Sequence, residues 1–146
     1  MARGDIVHRA LPLPQIEAQL KELFAQLQNT RLRLIAGNHD RFLEKLISQP
    51  LETEYQTGPY LFVHGHQPAA RSQRIVMGHE HPTISVGDGV TTSVRCPCFL
   101  LSPQFIVLPA FSLWAAGGVE LALRHRFRRA VAILGDKLLP IPLNNG

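Results

Sequence analysis

The 146-residue sequence has few cysteines and no long apolar run, and both absences narrow its class. Its two cysteines, Cys96 and Cys98, are separated by one proline, which is too short a spacing for ordinary disulfide geometry. Two cysteines alone also cannot supply the four ligands of a structural zinc site. No segment approaches the roughly 20 consecutive apolar residues of a membrane helix, and the N-terminus has no apolar signal-peptide core. We therefore expect a cytoplasmic protein with reduced thiols and no membrane partner.

The charge of the chain is modest and positive. Charged residues make up 18% and hydrophobic residues 45%, which is typical of a globular protein. The formal net charge of +4 weakly favours an anionic partner such as nucleic acid. The basic run at residues 124–129 (RHRFRR) supports binding to DNA if it lies beside the functional site, and is otherwise a solvated surface.

Hydrophobic spacing predicts a single domain, residues 1–146, of the α/β class with a mixed sheet. One helix is predicted at 15–29 and a shorter one at 41–48. Strands are predicted at 31–36, 60–63, 74–77, 83–86, 90–94, 98–101, 105–108 and 130–134, and turns at 87–89, 102–104 and 135–137.

Polar clusters follow three of the predicted strands. The sequences GNHD (37–40), HGH (64–66) and GHEH (78–81) contain five of the seven histidines. In open α/β sheets, ligands bind at the carboxyl ends of strands, and glycine allows the sharp turns that bring side chains together there. Imidazole and carboxylate groups together suit manganese, iron and zinc. Packing alone is a poor explanation for so many clustered histidines, and a metal site is the better one.

These motifs, preceded by Gly4-Asp5, resemble in order and context those of the calcineurin-like metallophosphoesterases. The resemblance covers nearly the whole chain. It implies a mixed β-sheet sandwich flanked by helices and metal-dependent hydrolysis of a phosphate ester. Two divalent ions would clamp the phosphoryl group, with Mn²⁺ as the first candidate and Zn²⁺ or iron as alternatives.

The resemblance also implies a role for each matching residue. Asp5 corresponds to the aspartate that bridges the two ions, Asn38, His64 and His79 to ligands of one ion, and His81 to a ligand of the other. His39 corresponds to the general acid that protonates the leaving oxygen, and Asp40 to its orienting partner.

Three of these side chains have alternative interpretations. Asp40 could equally cap the predicted helix that follows it. His66 is expected to lie behind the ligands or to face the substrate. His8 could contact the substrate, and a plain surface role is at least as compatible with its position.

A narrower resemblance is to DNA-ligase-associated damage-response endonucleases. It depends on residues 77–85 (MGHEHPTIS), 96–101 (CPCFLL) and 107–118 (VLPAFSLWAAGG). It implies DNA as the substrate and association with a DNA-repair ligase or helicase. The alternative is that residues 108–111 (LPAF) are only an apolar strand end.

One departure from the family pattern affects the expected activity. The family has a strand ending in Asp-x-His before the Gly-Asp motif, whereas Gly4-Asp5 here lies near Met1. We therefore expect a calcineurin-like fold that lacks its first strand, a depleted ion site around His81 and impaired activity. A start assigned too far downstream, a decayed gene or a protein that has lost catalysis would each explain this. The competing functions are a small-nucleotide phosphoesterase and a catalytically inactive binding scaffold.

Overall fold

The computed structural model describes residues 2–3, 13–40, 43, 47, 50–66, 72–87, 89–110 and 127–143. Asp5, His8, most of the predicted helix at 41–48 and residues 124–126 of the basic run lie outside these ranges. Within them, the chain forms one helix, α1 (Leu13–Gln26), and eleven strands: β1 (Ala2–Arg3), β2 (Leu34–Ile35), β3 (Leu51–Glu52), β4 (Glu54–Thr57), β5 (Tyr60–Val63), β6 (Arg74–Met77), β7 (Thr83–Gly87), β8 (Ser93–Leu101), β9 (Phe105–Val107), β10 (Arg129–Leu134) and β11 (Lys137–Pro142).

Helix α1 packs one apolar side against the first core cluster. Pro14 lies in its first turn, where a missing N–H costs nothing. Leu20 is buried with Leu34 of β2, and Phe24 packs one turn further along the same side of the helix. The helix ends at Gln26, three residues earlier than predicted, because residues 27–29 form a turn. The amide of Thr30 donates to the carbonyl of Leu27 at 2.8 Å in that turn.

The strands form two sheets. The smaller is parallel throughout, in the order β1-β2-β3. The larger has eight strands, in the order β11-β10-β8-β9-β6-β5-β4 with β7 paired to β8. Its centre, β5-β6-β9, is parallel, and its remaining pairs are antiparallel. This mixed α/β architecture confirms the predicted class, while the packing of two sheets as a sandwich stays a prediction.

Individual strands agree with the sequence to different degrees. Strands β5 and β6 have the predicted bounds, whereas β2 is shorter than the predicted 31–36. Strand β8 is continuous through Pro97, where the sequence suggested two separate runs. Pro97 lies where β8 changes partner, from β7 up to that residue to β10 beyond it, so the ladder tolerates its missing N–H.

A short connection joins the two sheets near the predicted site. Only Thr53 separates β3 of the small sheet from β4 of the large one. Beside it, a guanidinium nitrogen of Arg33 lies 2.8 Å from the Glu52 carboxylate, and the guanidinium carbon lies 4.2 Å from the centre of the Tyr55 ring. Because Arg33 directly precedes β2, these contacts fix the start of that strand against the large sheet. The sequence predicted neither β3 nor β4.

No helix in the described ranges has the length and apolar character needed to cross a membrane.

Candidate metal centre

Three of the predicted ligands meet at the carboxyl ends of their strands. Asn38 follows β2 of the small sheet, and His64 and His79 follow the neighbouring parallel strands β5 and β6 of the large sheet. Nε2 of His64 lies 2.9 Å from Oδ1 of Asn38 and 3.0 Å from Nδ1 of His79. Nε2 of His64 therefore lies next to an amide oxygen from the small sheet and to an imidazole nitrogen from the large sheet.

The two separations from Nε2 of His64 and the chemistry of the three atoms fit a divalent cation. Two ligands at about 2.1 Å from one ion, with tetrahedral to octahedral angles, lie about 3.0–3.4 Å apart, so the observed separations need to open only slightly. In any tautomer, Nε2 of His64 carries either one N–H or one lone pair, so it cannot make linear hydrogen bonds to both of its neighbours. A single cation can accept lone pairs from all three atoms at once. Nitrogen and oxygen donors in this mixture suit Mn²⁺, Fe²⁺ and Zn²⁺.

The cluster needs a further metal ligand to form a complete site. Within the described ranges, no three His, Cys, Asp or Glu side chains come together as a metal site. The cluster supplies two imidazoles and an amide, which is one ligand short of the four of a typical tight site. Asp5 is the predicted additional ligand and lies outside the described residues, so its role stays a prediction.

The turn after β5 has a conformation that glycine alone adopts easily. Gly65 has a φ of +115°, and a Cβ atom there would lie 2.8 Å from Cε of Met77 and 3.4 Å from Cβ of His79. The turn therefore packs directly on the end of β6. The amide of Gly78 donates to the carbonyl of His64 at 3.0 Å, which fastens the two strand ends together.

The turn after β6 has two strained residues. His79 has a φ of 64° and His81 a φ of 43°, and both lie in the left-handed region that non-glycine residues seldom adopt. Such strain persists where the surroundings enforce it, and it is concentrated at functional sites. His81 is half-buried. Its proposed role at a second ion stays a prediction.

Asp40 closes the loop that presents Asn38. Its side chain is 3% exposed, and Oδ2 accepts a hydrogen bond of 2.9 Å from the amide of Gly37. Its carbonyl accepts another from the amide of Leu43 at 2.9 Å. The carboxylate thus reaches back across the loop to Gly37. Its role as a cap of the predicted helix at 41–48 stays a prediction, because most of that helix lies outside the described residues. His39, within this loop, is exposed, and its role as general acid stays a prediction.

His66 lies beside the cluster and is exposed to solvent. Its ring centre is 5.3 Å from that of His64 and 6.3 Å from that of His79, while the His64 and His79 rings are 4.9 Å apart. His64 is only 2% exposed. The three imidazoles therefore form a group that runs from the buried interior to the surface. His8, the other predicted substrate contact, lies outside the described residues.

The importance of Gly65 and the Arg33 contacts could not be read from the motifs. The sequence HGH indicates a tight turn, but only the fold shows that Met77 and His79 press against it. Arg33 belongs to none of the sequence motifs. Its partners, Glu52 and Tyr55, lie in strands β3 and β4, which the sequence did not predict.

The fold is similar to that of a known nuclease. The structure matches the crystal structure of Pseudomonas putida nuclease MPE with a TM-score of 0.70 and 25% sequence identity, over 94% of this chain and 68% of that chain. No protein-family model matches the sequence. No curated protein matches it either. The fold and the cluster together define a mixed α/β protein with a nuclease-like architecture and a polar donor set at its strand ends.

Proposed function

We propose that this protein is a metal-dependent phosphoesterase that hydrolyses phosphodiesters in the manner of a nuclease, with DNA as the candidate substrate. Two independent observations support the proposal. The cluster of Asn38, His64 and His79 has the atoms and spacing to hold a divalent cation. The overall fold is similar to that of a bacterial nuclease.

In this proposal, Asn38, His64 and His79 hold one ion together with Asp5, and His81 contributes to a second. Mn²⁺ is the first candidate, since mixed nitrogen and oxygen donors suit it. A bound divalent ion supplies a Lewis acid for a phosphoryl oxygen and lowers the pKa of bound water. The positive φ values of His79 and His81 are of the kind that surrounding structure must enforce, which favours a pre-organised site.

His39 is proposed to donate the proton that the leaving oxygen needs. Imidazole can exchange a proton near neutral pH, and His39 is exposed in the same loop as Asn38. The bond from the Gly37 amide to the Asp40 carboxylate closes the loop around Asn38 and His39, which restrains its backbone. Asp40 is therefore proposed as a positioning residue for both.

The observation that carries the proposal is the position of one atom, Nε2 of His64, within 3.0 Å of ligand atoms from both β2 and β6 strand ends. Apolar packing would not require two imidazoles and an amide to converge in this way.

The test compares metal binding with hydrolysis. Metal-free protein is titrated with Mn²⁺ by calorimetry, and hydrolysis of bis-p-nitrophenyl phosphate and of single-stranded and duplex DNA is then measured. We expect His64→Ala and His79→Ala to lose Mn²⁺ binding. We expect His39→Ala to bind Mn²⁺ normally and to hydrolyse about 100-fold or more slowly than wild type.

Gln56→Ala, an exposed change on β4, is the control and should match wild type in both measurements. Absence of Mn²⁺ binding by the wild-type protein would refute the metal site. Hydrolysis by His39→Ala at the wild-type rate would refute the general-acid role while leaving the metal site intact.

A further inference from the structure

His66 is an imidazole at the open side of the cluster. The three rings of His64, His66 and His79 lie within 6.3 Å of one another, centre to centre. His64 is buried, His79 is half-buried and His66 is exposed. A ligand that approaches the cluster from solvent on this side therefore meets His66 beside the other two.

His64 and His66 lie on either side of one tight turn. Gly65 between them has a φ of +115°, and the turn packs against Met77 and His79 at the end of β6. The 5.3 Å separation of the two ring centres shows that the rings lie close together. The same turn thus provides one buried ring and one exposed ring.

We propose that His66 is a phosphate-contacting residue that binds the ester's phosphoryl oxygens beside the ion site, and this inference rests on the proposed function. An imidazole carries at least one N–H in either of its protonation states, so it can always donate to an anionic oxygen. Hydrogen bonds to charged acceptors are shorter and stronger than neutral ones. Among the described residues, His64, His66 and His79 do not come together as a three-ligand metal site, which favours a substrate contact for His66 over direct metal binding.

The test separates phosphate binding from metal binding. Wild-type, His66→Ala, His66→Gln and His79→Ala proteins are each titrated with Mn²⁺, and the Mn²⁺-loaded proteins are then titrated with inorganic phosphate, both by calorimetry. We expect His66→Ala to bind Mn²⁺ as wild type does and phosphate about tenfold more weakly, which is the size of one lost hydrogen bond to a charged acceptor. His66→Gln, which keeps an N–H donor, should recover most of the phosphate affinity.

Steady-state hydrolysis gives a second measurement. In His66→Ala, KM for bis-p-nitrophenyl phosphate should rise by about the same factor as the phosphate dissociation constant. Loss of Mn²⁺ affinity in His66→Ala, to the level of His79→Ala, would overturn the proposal by making His66 a metal ligand. Unchanged phosphate affinity with normal Mn²⁺ binding would overturn this inference alone. A wild-type protein that binds no Mn²⁺ would overturn the proposed function and this inference with it.

Discussion

At the residue scale, the site depends on backbone conformations that most residues avoid. His79 and His81 have positive φ, and Gly65, which packs against His79, has a φ of +115°. Strained positions of this kind cost about 1–3 kcal/mol each and need support from neighbouring structure. The bond from the Gly78 amide to the His64 carbonyl is part of that support. The histidines are therefore positioned by the turns as much as by the strands.

Replacement of Gly65 should damage both stability and metal binding. In Gly65→Ala, the new Cβ would combine an unfavourable φ with a contact of 3.3 Å to Cβ of Met77 and a closer one to its flexible end. We expect a loss of about 2–4 kcal/mol in the free energy of unfolding, measured by urea denaturation. Mn²⁺ affinity should fall as well, because His64 and His79 would move apart.

Gly58→Ala is the matched control. Gly58 also has a positive φ, +53°, but a Cβ atom added there would have no neighbouring atom within 4 Å. It should cost only about 1 kcal/mol and leave Mn²⁺ affinity unchanged. Equal effects of the two substitutions would show that the Met77 and His79 contacts do not matter.

At the element scale, β11 is an edge strand of the large sheet among the residues that the structure describes. The amide of Leu143 donates to the carbonyl of Arg128, so odd-numbered residues of β11 point their N–H groups toward β10. The outward positions are Leu138, Pro140 and Pro142, and the prolines have no N–H to offer. An edge strand with few free donors is a poor template for another strand. The exposed Leu138, at 64%, is therefore protected from edge-to-edge association.

The double substitution Pro140→Val and Pro142→Val should allow the edge strand to pair with a strand of another molecule. It restores two outward N–H groups next to an exposed leucine while keeping the bonds to β10. We expect concentration-dependent self-association in sedimentation velocity, with far-UV circular dichroism like that of wild type.

Ile141→Val, at a position whose N–H points toward β10, serves as the control and should remain monomeric wherever wild type does. If the double variant sediments like wild type at every concentration, the prolines do not protect the edge.

At the scale of the whole molecule, the candidate metal centre takes its ligands from both sheets. Asn38 comes from the small sheet, and His64 and His79 come from the large one. An ion held by all three would bind the folded protein and not the unfolded chain. Metal binding should therefore raise the free energy of unfolding of the whole protein, and both sheets should unfold in one transition.

We expect Mn²⁺ at about 100 times its dissociation constant to raise the unfolding free energy by about 2.7 kcal/mol, or the melting temperature by about 5–10 °C. Differential scanning calorimetry with and without Mn²⁺ measures this shift. Ca²⁺, which prefers oxygen-only sites, should have a smaller effect.

His79→Ala should lose the Mn²⁺ shift, and a chelator should reverse it in the wild-type protein. An equal shift in wild type and His79→Ala would place the stabilising ion elsewhere.

The sequence predicted the elements whose signals are local. Strands β5 and β6 have the predicted bounds because each is a short apolar run that ends in a glycine-containing polar cluster. Helix α1 followed from the spacing of Leu20 and Phe24 with a proline near its start. Strands β1, β3, β4 and β11 were missed. Strands β1 and β3 have two residues each, β4 is mostly polar, and β11 contains two prolines.

By itself, the sequence determined the mixed α/β class and predicted that its polar clusters meet at one edge, since ligand sites in such sheets lie at strand ends. The grouping of Asn38, His64 and His79 as ligands of one ion came from the family resemblance. Only the tertiary structure decided that Nε2 of His64 lies 2.9 Å from Asn38 and 3.0 Å from His79. It also decided that His66 stays at the surface and that Asp40 reaches back to Gly37. These outcomes depend on strand pairing across the sheet and on contacts between residues far apart in the chain, for which local periodicity contains no information.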